Sequence, residues 1–338
     1  MNKLLTIVVP VYKVEQYINK CLDSCILYKT DENNNRVLDE ELMNILEVII
    51  VNDGTPDNSA ELSREYTKKF PNTFRQIDKE NGGHGSAWNV GLNAATGKYL
   101  RFLDSDDWLT NLDQLMRKLE NCEADLVFTH HLTHYLDTNE NVIDYSDGPF
   151  ENEMCLSKLP ISRFVQQHFY ASFQRVTCKT SLLKPFFPLF TEKTRYDDSI
   201  MSILPLLMGK KYIVFDFVLY NYLIGRGEQT VSKDNLMRFC EQHNAEYGKM
   251  YDFAVCNPNE KMNDIVGALI FKAFSDTFSI AIQLPYARRK KCISFLKTKV
   301  PLQKRDNLSK NIKRYINWHF IFAYLWDEIR KMKQNFVK

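Results

Sequence analysis

Three short apolar runs rich in β-branched residues punctuate the first hundred positions: Leu4–Val11 (LLTIVVPV), Leu46–Val51 (LEVIIV) and Tyr99–Leu103 (YLRFL). Runs without polar alternation belong to strands covered on both faces, so each predicts a buried parallel strand. Between them the apolar positions recur at helical spacing. Val14–Leu27 places Tyr17, Cys21 and Cys25 on one face. Ser59–Phe70 is a charged amphipathic segment with Asp57 or Asn58 as its cap, and Ser86–Ala95 is a third helix stopped by Thr96-Gly97. Alternating strands and helices predict an α/β domain with a mostly parallel central sheet flanked by helices. In such sheets ligands bind beyond the carboxyl ends of the strands. Polar clusters fall at those ends: Tyr12 after the first run, Asn52-Asp53-Gly54 after the second, Asp104-Ser105-Asp106 after the third.

The rest of the chain reads more coarsely. Lys29–Asn44 is polar, with Asn33-Asn34-Asn35, and predicts a surface insertion. Asp125–Phe128 and Tyr212–Leu219 predict further strands, and Ile200–Met208 a helical stretch. Beyond Lys233 the pattern is helical, with a break near Cys256-Asn257-Pro258. A boundary near residue 232 therefore separates an α/β domain, residues 1–232, from a helical region, 233–338. A length of 338 residues suits one large domain with a smaller companion.

Composition excludes some classes. With 44% hydrophobic and 13% aromatic residues the chain is neither disordered nor a repeat array. The eight cysteines are scattered without a C-x-x-C pair, which suits buried thiols in a reducing cytosol better than zinc or disulfides. The start of the chain lacks the apolar core of a signal peptide, and no run approaches the ~20 apolar residues of a spanning helix. The expectation is a cytoplasmic protein. The net charge of +2 hides an asymmetry: residues 285–338 hold 15 Lys/Arg and 3 Asp/Glu, against 29 and 39 before them. Within this basic tail Ile312, Ile316, Phe320 and Leu325 recur near helical spacing among Tyr315, Trp318, Phe322 and Trp326. Such a stretch suits the anionic inner face of a cell membrane, and equally suits packing on the catalytic domain or on a second copy in a homo-oligomer. It carries no nucleic-acid-binding motif, so nucleic acid is not expected as a partner.

Four polar segments could carry chemistry. In Asp104-Ser105-Asp106-Asp107-Trp108, three carboxylates within four residues repel one another unless a cation joins them. Hard divalent cations such as Mg²⁺ or Mn²⁺ take such oxygen ligands together with substrate phosphates. A solvated acidic turn is the plain alternative. Asp53, just past a buried strand, could accept hydrogen bonds from a ribose or base, or simply shape a turn. Asn81-Gly82-Gly83-His84-Gly85-Ser86 leads into a helix whose amides could face an anion, although it fits neither nucleotide-binding glycine fingerprint. His84 could contact a phosphate there. Asp197-Asp198 either caps the helical stretch after it or supplies a general base.

Taken together and in this order, the segments resemble glycosyltransferase family 2. Val8-Val9-Pro10-Val11-Tyr12-Lys13-Val14-Glu15 resembles that family's first nucleotide-contacting strand end. Val51–Ser59 resembles its V-D-D-G-S-x-D-x-S segment, with Asn52 for a frequent Asp. Asn81–Asp107 resembles N-x-G-x-x-x-A-R-N-x-G through D-S-D-D, with Trp88 at the usual Arg and Asn89 kept. Cys178–Leu183, Tyr196-Asp197-Asp198 and Tyr220–Arg226 resemble the N-K, E-D and Y-R-x-R segments, with Asn221 for the first Arg. The resemblance spans residues 4–232. No Q-x-x-R-W is present, which favours single additions over processive synthesis.

That resemblance implies a GT-A fold and an inverting, non-processive, metal-dependent hexosyltransferase-type enzyme. It would move one sugar from a nucleotide-sugar donor, UDP favoured, to a hydroxyl of a glycan or lipid-linked acceptor in cell-surface polysaccharide or glycoconjugate synthesis. It implies donor contacts from Pro10, Val11, Tyr12, Glu15, Asp53, Asn81, Gly83, His84, Ser86, Asp104, Ser105 and Arg226. Asp106 and Asp104 would hold Mn²⁺ or Mg²⁺, Asp198 would be the base and Asp197 its support, and residues 125–232 would form the acceptor side. Two other readings are a nucleotidyltransferase, which lacks its expected basic Gly-rich loop after the first strand, and a catalytically silent nucleotide-sugar-binding scaffold.

Overall fold

A computed structural model describes residues 2–136, 141–143, 172–225, 233–258, 263–281 and 283–299. The chain divides into two compact units, Met1–Gln229 and Thr230–Lys338.

In the first unit β1 (Leu5–Val11) lies between two parallel neighbours, β4 (Leu46–Asn52) and β6 (Tyr99–Phe102). Every residue of these three strands is buried, which is why their sequences run apolar without alternation. The register pairs Val11 with Asn52 and Val8 with Phe102, so the three carboxyl ends open side by side. β5 (Phe74–Asp78) adds a parallel edge beside β4. On the other flank β10 (Val176–Lys179) runs antiparallel to β6 and to β8 (Leu126–Tyr135). β11 (Tyr212–Ile224) runs parallel to β8, and the two-residue β7 (Trp108–Leu109) and β9 (Asn141–Ile143) pair antiparallel with β11 and β8.

Three segments differ from the sequence expectation. The helix expected over Val14–Leu27 is only α1 (Ile18–Asp23). It stops because Ser24 Oγ donates to Cys21 O and accepts from Leu109 N, a tertiary tie that replaces helical propagation. The polar insertion holds an exposed hairpin, β2 (Tyr28–Thr30) with β3 (Arg36–Leu38), but ends in α2 (Glu40–Ile45). α2 buries Leu42 and Met43 and is capped by Asp39, which accepts from Leu42 N. The stretch after Asp197 is a 3₁₀ helix, Asp197–Ser202, broken at Ile203 before a short α helix over Leu204–Met208, where Pro205 offers no amide for a continuous ladder. The other helices of this unit are α3 (Ser59–Lys69), α4 (His84–Ala94), α5 (Leu112–Glu120) and α6 (Thr180–Leu183), so that Leu204–Met208 is α7.

The second unit is helical: α8 (Lys233–Arg238), α9 (Cys240–Cys256), α10 (Asn263–Ala281) and α11 (Tyr286–Lys299). Tyr247, Phe274, Phe278, Leu284, Cys292 and Leu296 form its core. Arg288 grips Glu241 with Nε and Nη2 at 2.7 and 2.6 Å, which joins α11 to α9. Among the described residues no helix is long and apolar enough to cross a membrane. The aromatic part of the basic tail, from Ile312 on, to which the membrane and homo-oligomer expectations attach, lies outside the described residues.

Candidate functional site

Beyond the carboxyl ends of β1, β4 and β6 the sheet ends in three turns, and the candidate residues are built on these. Pro10 and Val11 are buried in β1, and Tyr12 follows as an exposed ring. After β4, Asn52 closes its turn by donating from Nδ2 to Asp78 (2.8 Å) and accepting from Thr55 N (3.0 Å). Asp53 is buried, yet three donors meet its carboxylate: Lys79 Nζ at 2.6 Å, Gly82 N at 2.8 Å and Gly83 N at 2.8 Å. A carboxylate accepts about four hydrogen bonds, so Asp53 fixes the Gly-rich loop and keeps one acceptor direction in hand. Asn81 adds a bond from Nδ2 to Asp53 O. Glu15 joins the same turn: its carboxylate accepts from Asn58 N at the start of α3 (3.2 Å) and its amide donates to Asp57 (3.3 Å).

Gly83 precedes α4 at φ +86°, a backbone few other residues adopt, and lets the loop turn His84 into the crevice. Ser86 is buried in the first turn of the helix. Gly85 packs so tightly that a Cβ there would meet Thr191 O at 2.3 Å and Asp197 Oδ2 at 2.7 Å. Asn89 clamps the same incoming segment: its Oδ1 accepts from Leu189 N and Phe190 N, both 2.9 Å, and its Nδ2 donates to Phe190 O at 2.8 Å. Lys193 N donates to Gly82 O at 2.8 Å. Trp88, at the position where the resemblance leads one to expect Arg, does not face the crevice. It is fully buried, stacked on Phe102 at 4.2 Å and met edge-on by Phe173 and Phe190. The His84 ring rests 4.3 Å from it.

After β6 the acidic turn is anchored from below. Tyr220 Oη donates to Asp107 Oδ2 (2.5 Å), Leu223 N donates to Asp107 Oδ1 (2.8 Å), and Asp104 N donates to Tyr220 Oη (3.2 Å). Asp107 is therefore a buried strut, and Ser105 is buried beside it, while Asp104 and Asp106 are part-exposed. Burial, reinforced by the Asp106 and Asp104 charges, holds the Asp107 carboxyl well above the usual carboxylate range. One carboxylate oxygen from each of Asp104, Asp106 and Asp107 lies within 4.8 Å of the others.

The fourth segment joins this turn through His84. Its Nε2 lies 3.0 Å from Asp104 Oδ1 and its Nδ1 3.0 Å from Asp197 Oδ2. Burial opposes charge on the ring, but the two carboxylates outweigh it and raise the histidine well above its ordinary range, so both nitrogens donate. Asp197 is buried; Asp198, next in the same 3₁₀ turn, is part-exposed. Burial first, then the Asp197 charge, pushes Asp198 up to about 7.

The structure thus brings Asp53, Asn81, Gly83, His84, Ser86, Asp104, Ser105, Asp106, Asp197 and Asp198 onto connected turns, and ties Glu15 to the turn after β4 through Asp57 and Asn58. Arg226 lies outside the described residues. Sequence reasoning missed three participants. Lys79 is the cation on Asp53, and its position one residue past a strand and two before Asn81-Gly82 was the available signal. Tyr220 stands in the sequence only as the first residue of the Tyr220–Arg226 segment, and its contact to Asp107 is long-range. Asp107 looks in sequence like its two neighbouring carboxylates, and only the donors Tyr220 and Leu223 N set it apart.

The pattern of "Glycosyl transferase family 2" matches residues 6–182. The glycosyltransferase GlyA of Streptococcus pneumoniae is 37% identical over 124 residues, 36% of this chain and 16% of that protein. The minor teichoic acid biosynthesis protein GgaB of Bacillus subtilis is 39% identical over 106 residues, 31% of this chain and 11% of that protein. The chain spans only 16 to 41% of the length of the first three curated relatives it matches. Among solved structures, S. aureus TarS in complex with UDP superposes with a TM-score of 0.66 over 98% of this chain and 92% of that one, at 17% identity, a likeness of fold.

Proposed function

Because the chain belongs to glycosyl transferase family 2, whose pattern covers more than half of it, we propose that it transfers one sugar from a nucleotide-sugar donor to an acceptor hydroxyl with inversion at the anomeric carbon. The observation that carries this reading is the tie, at the carboxyl ends of a parallel sheet, of the Asp104-Asp106-Asp107 cluster through His84 to Asp197, whose neighbour in the same turn is the part-exposed Asp198. UDP is the favoured nucleotide, because TarS, solved with UDP, shares the fold. A cell-surface polysaccharide or glycoconjugate is the favoured setting, because GgaB is a teichoic acid biosynthesis protein.

The residues fit a hard divalent cation. Their donors are carboxylate oxygens, one from each of Asp104, Asp106 and Asp107, within 4.8 Å of one another. Asp106 and Asp104 would hold Mn²⁺ or Mg²⁺, which when bound supplies charge neutralisation for the departing nucleoside diphosphate. The chain's own residues do the rest. Asp53 and its cradle of Lys79, Gly82 and Gly83 set the loop against which the nucleoside lies. Asp198 takes the proton of the acceptor hydroxyl as its oxygen attacks the anomeric carbon and the bond from that carbon to the diphosphate oxygen breaks. Asp197, held by His84, orients the turn that carries Asp198.

A thermal-shift panel of UDP- and GDP-sugars with and without Mn²⁺ tests the reading, since a ligand that binds only the folded state raises its stability. A Mn²⁺-dependent rise with UDP-sugars is expected. No response to any nucleotide sugar would remove the proposal.

A further inference from the structure

We propose that His84 is a positioning residue that locks the loop carrying Asp197 and Asp198 onto the donor side of the site, rather than a ligand of the donor phosphates. The inference rests on the glycosyl-transfer reading above and concerns how that site is assembled.

The loop from Phe187 to Tyr196 has no strand partner among the described residues. Ties to α4 and the Gly-rich turn hold it along its length. Asn89 fixes Leu189 and Phe190, Gly82 O accepts from Lys193 N, and His84 meets Asp197 at the loop's far end. The last tie is the one next to Asp198, and it also reaches Asp104. Both ring nitrogens are thereby engaged by carboxylates, which leaves no N–H to offer a phosphate. The ring's own place is fixed from beneath by Trp88, itself wedged between Phe102, Phe173 and Phe190. Gly85 completes the device, because any side chain there would push Asp197 off the histidine. A ring held on both nitrogens between an acidic donor-side turn and a buried carboxylate acts as a spacer: it sets the distance from Asp104 to Asp198's turn. Misplacement of a reacting group by about 1 Å can cost on the order of 100-fold in rate.

The test uses the full chain and His84→Ala, with Asp197→Asn as a second variant that breaks the same tie from the other end. Hydrogen exchange on the ligand-free proteins should rise about tenfold or more over residues 189–199 in both variants, with β1 and β4 unchanged. Affinity for UDP with Mn²⁺, measured by calorimetry, should stay within about threefold of wild type in His84→Ala, because uniform donor binding is not what the tie supplies. Hydrolysis of UDP-glucose, UDP-galactose and UDP-N-acetylglucosamine, in which water takes the sugar and UDP is released, should fall by about 100-fold. The double variant should be no slower than Asp197→Asn alone, as expected when two residues act as one unit. Unchanged exchange together with a tenfold loss of UDP affinity would overturn the proposal and make His84 a phosphate ligand. Multiplicative rate losses in the double variant would also overturn it. If wild-type protein releases no UDP from any donor, the transfer reading fails, while the exchange comparison still decides the tie.

Discussion

Asp198 offers a perturbation whose sign is opposite for activity and for stability. Burial and the Asp197 charge raise its carboxyl from 3.8 to about 7. In the proposed role of base Asp198 must be ionised to accept a proton, which predicts that about half of the free enzyme is competent at pH 7 and about one-tenth at pH 6. The pH profile of kcat/KM, which reports the free enzyme, should therefore fall close to tenfold per unit below pH 7 and level off above pH 8. Stability runs the other way. A carboxyl whose folded pKa lies above its unfolded value binds its proton more tightly in the native state. Its contribution is fully present below about pH 4 and is lost as the pH rises through 7. At 1.36 kcal/mol per unit the ceiling is about 4 kcal/mol, and partial exposure of the side chain reduces this to about 1–2 kcal/mol.

The isosteric neutral variant Asp198→Asn separates the two effects. It should lose transfer, yet at pH 8 it should be more stable than wild type by about 1–2 kcal/mol, and the gain should vanish by pH 4. Urea denaturation at pH 4, 6 and 8 measures the stability series, and UDP release across pH 5.5–9 measures the rate. Wild-type turnover in folded Asp198→Asn would refute the base assignment. A flat rate profile between pH 6 and 8, or a variant equally stable relative to wild type at all three pH values, would refute the electrostatics.

Other residues give independent checks. Asp106→Ala should abolish the Mn²⁺-dependent thermal shift with UDP-sugars while the ligand-free melting temperature stays within about 2 °C, since the side chain sits on a part-exposed turn; a retained shift would move the metal elsewhere. Trp88→Arg, which restores the residue expected from the family pattern, should cost about 3–5 kcal/mol in urea, because it sets a charge among Phe102, Phe173 and Phe190. Stability equal to wild type would show that the pocket can open to the crevice. Tyr220→Phe removes the hydroxyl that donates to Asp107 and accepts from Asp104 N; it should cost about 1–3 kcal/mol and weaken the Mn²⁺ response, and an unchanged denaturation midpoint would contradict the strut role.

The strands that carry the site were legible because burial on both faces leaves an unmistakable mark: β1, β4 and β6 are apolar from end to end, and each stops at a polar turn. Helix ends were less legible. α1 is cut short by Ser24 Oγ reaching Leu109, a residue 85 positions away, and no local propensity encodes such a bond. The acidic turn illustrates the same limit within the site. Its three aspartates are adjacent in sequence and look alike, yet one contact from β11 makes Asp107 a buried strut and leaves Asp104 and Asp106 toward the crevice.

Trp88 shows how a departure from a family pattern becomes intelligible only with its neighbours in place. In sequence it is a lost arginine. In the fold it is the floor under His84, and the histidine supplies positive charge between Asp104 and Asp197 from one helical turn away. An arginine at position 88 would have to leave an aromatic pocket to serve those carboxylates, whereas an imidazole at position 84 reaches both at 3.0 Å with its ring packed on the indole. A site built from five nearby carboxylates, Asp104, Asp106, Asp107, Asp197 and Asp198, calls for positive charge, and the His84 ring lies between two of them, Asp104 and Asp197. In this chain the turn that carries Asp198 is consequently set by the first turn of α4.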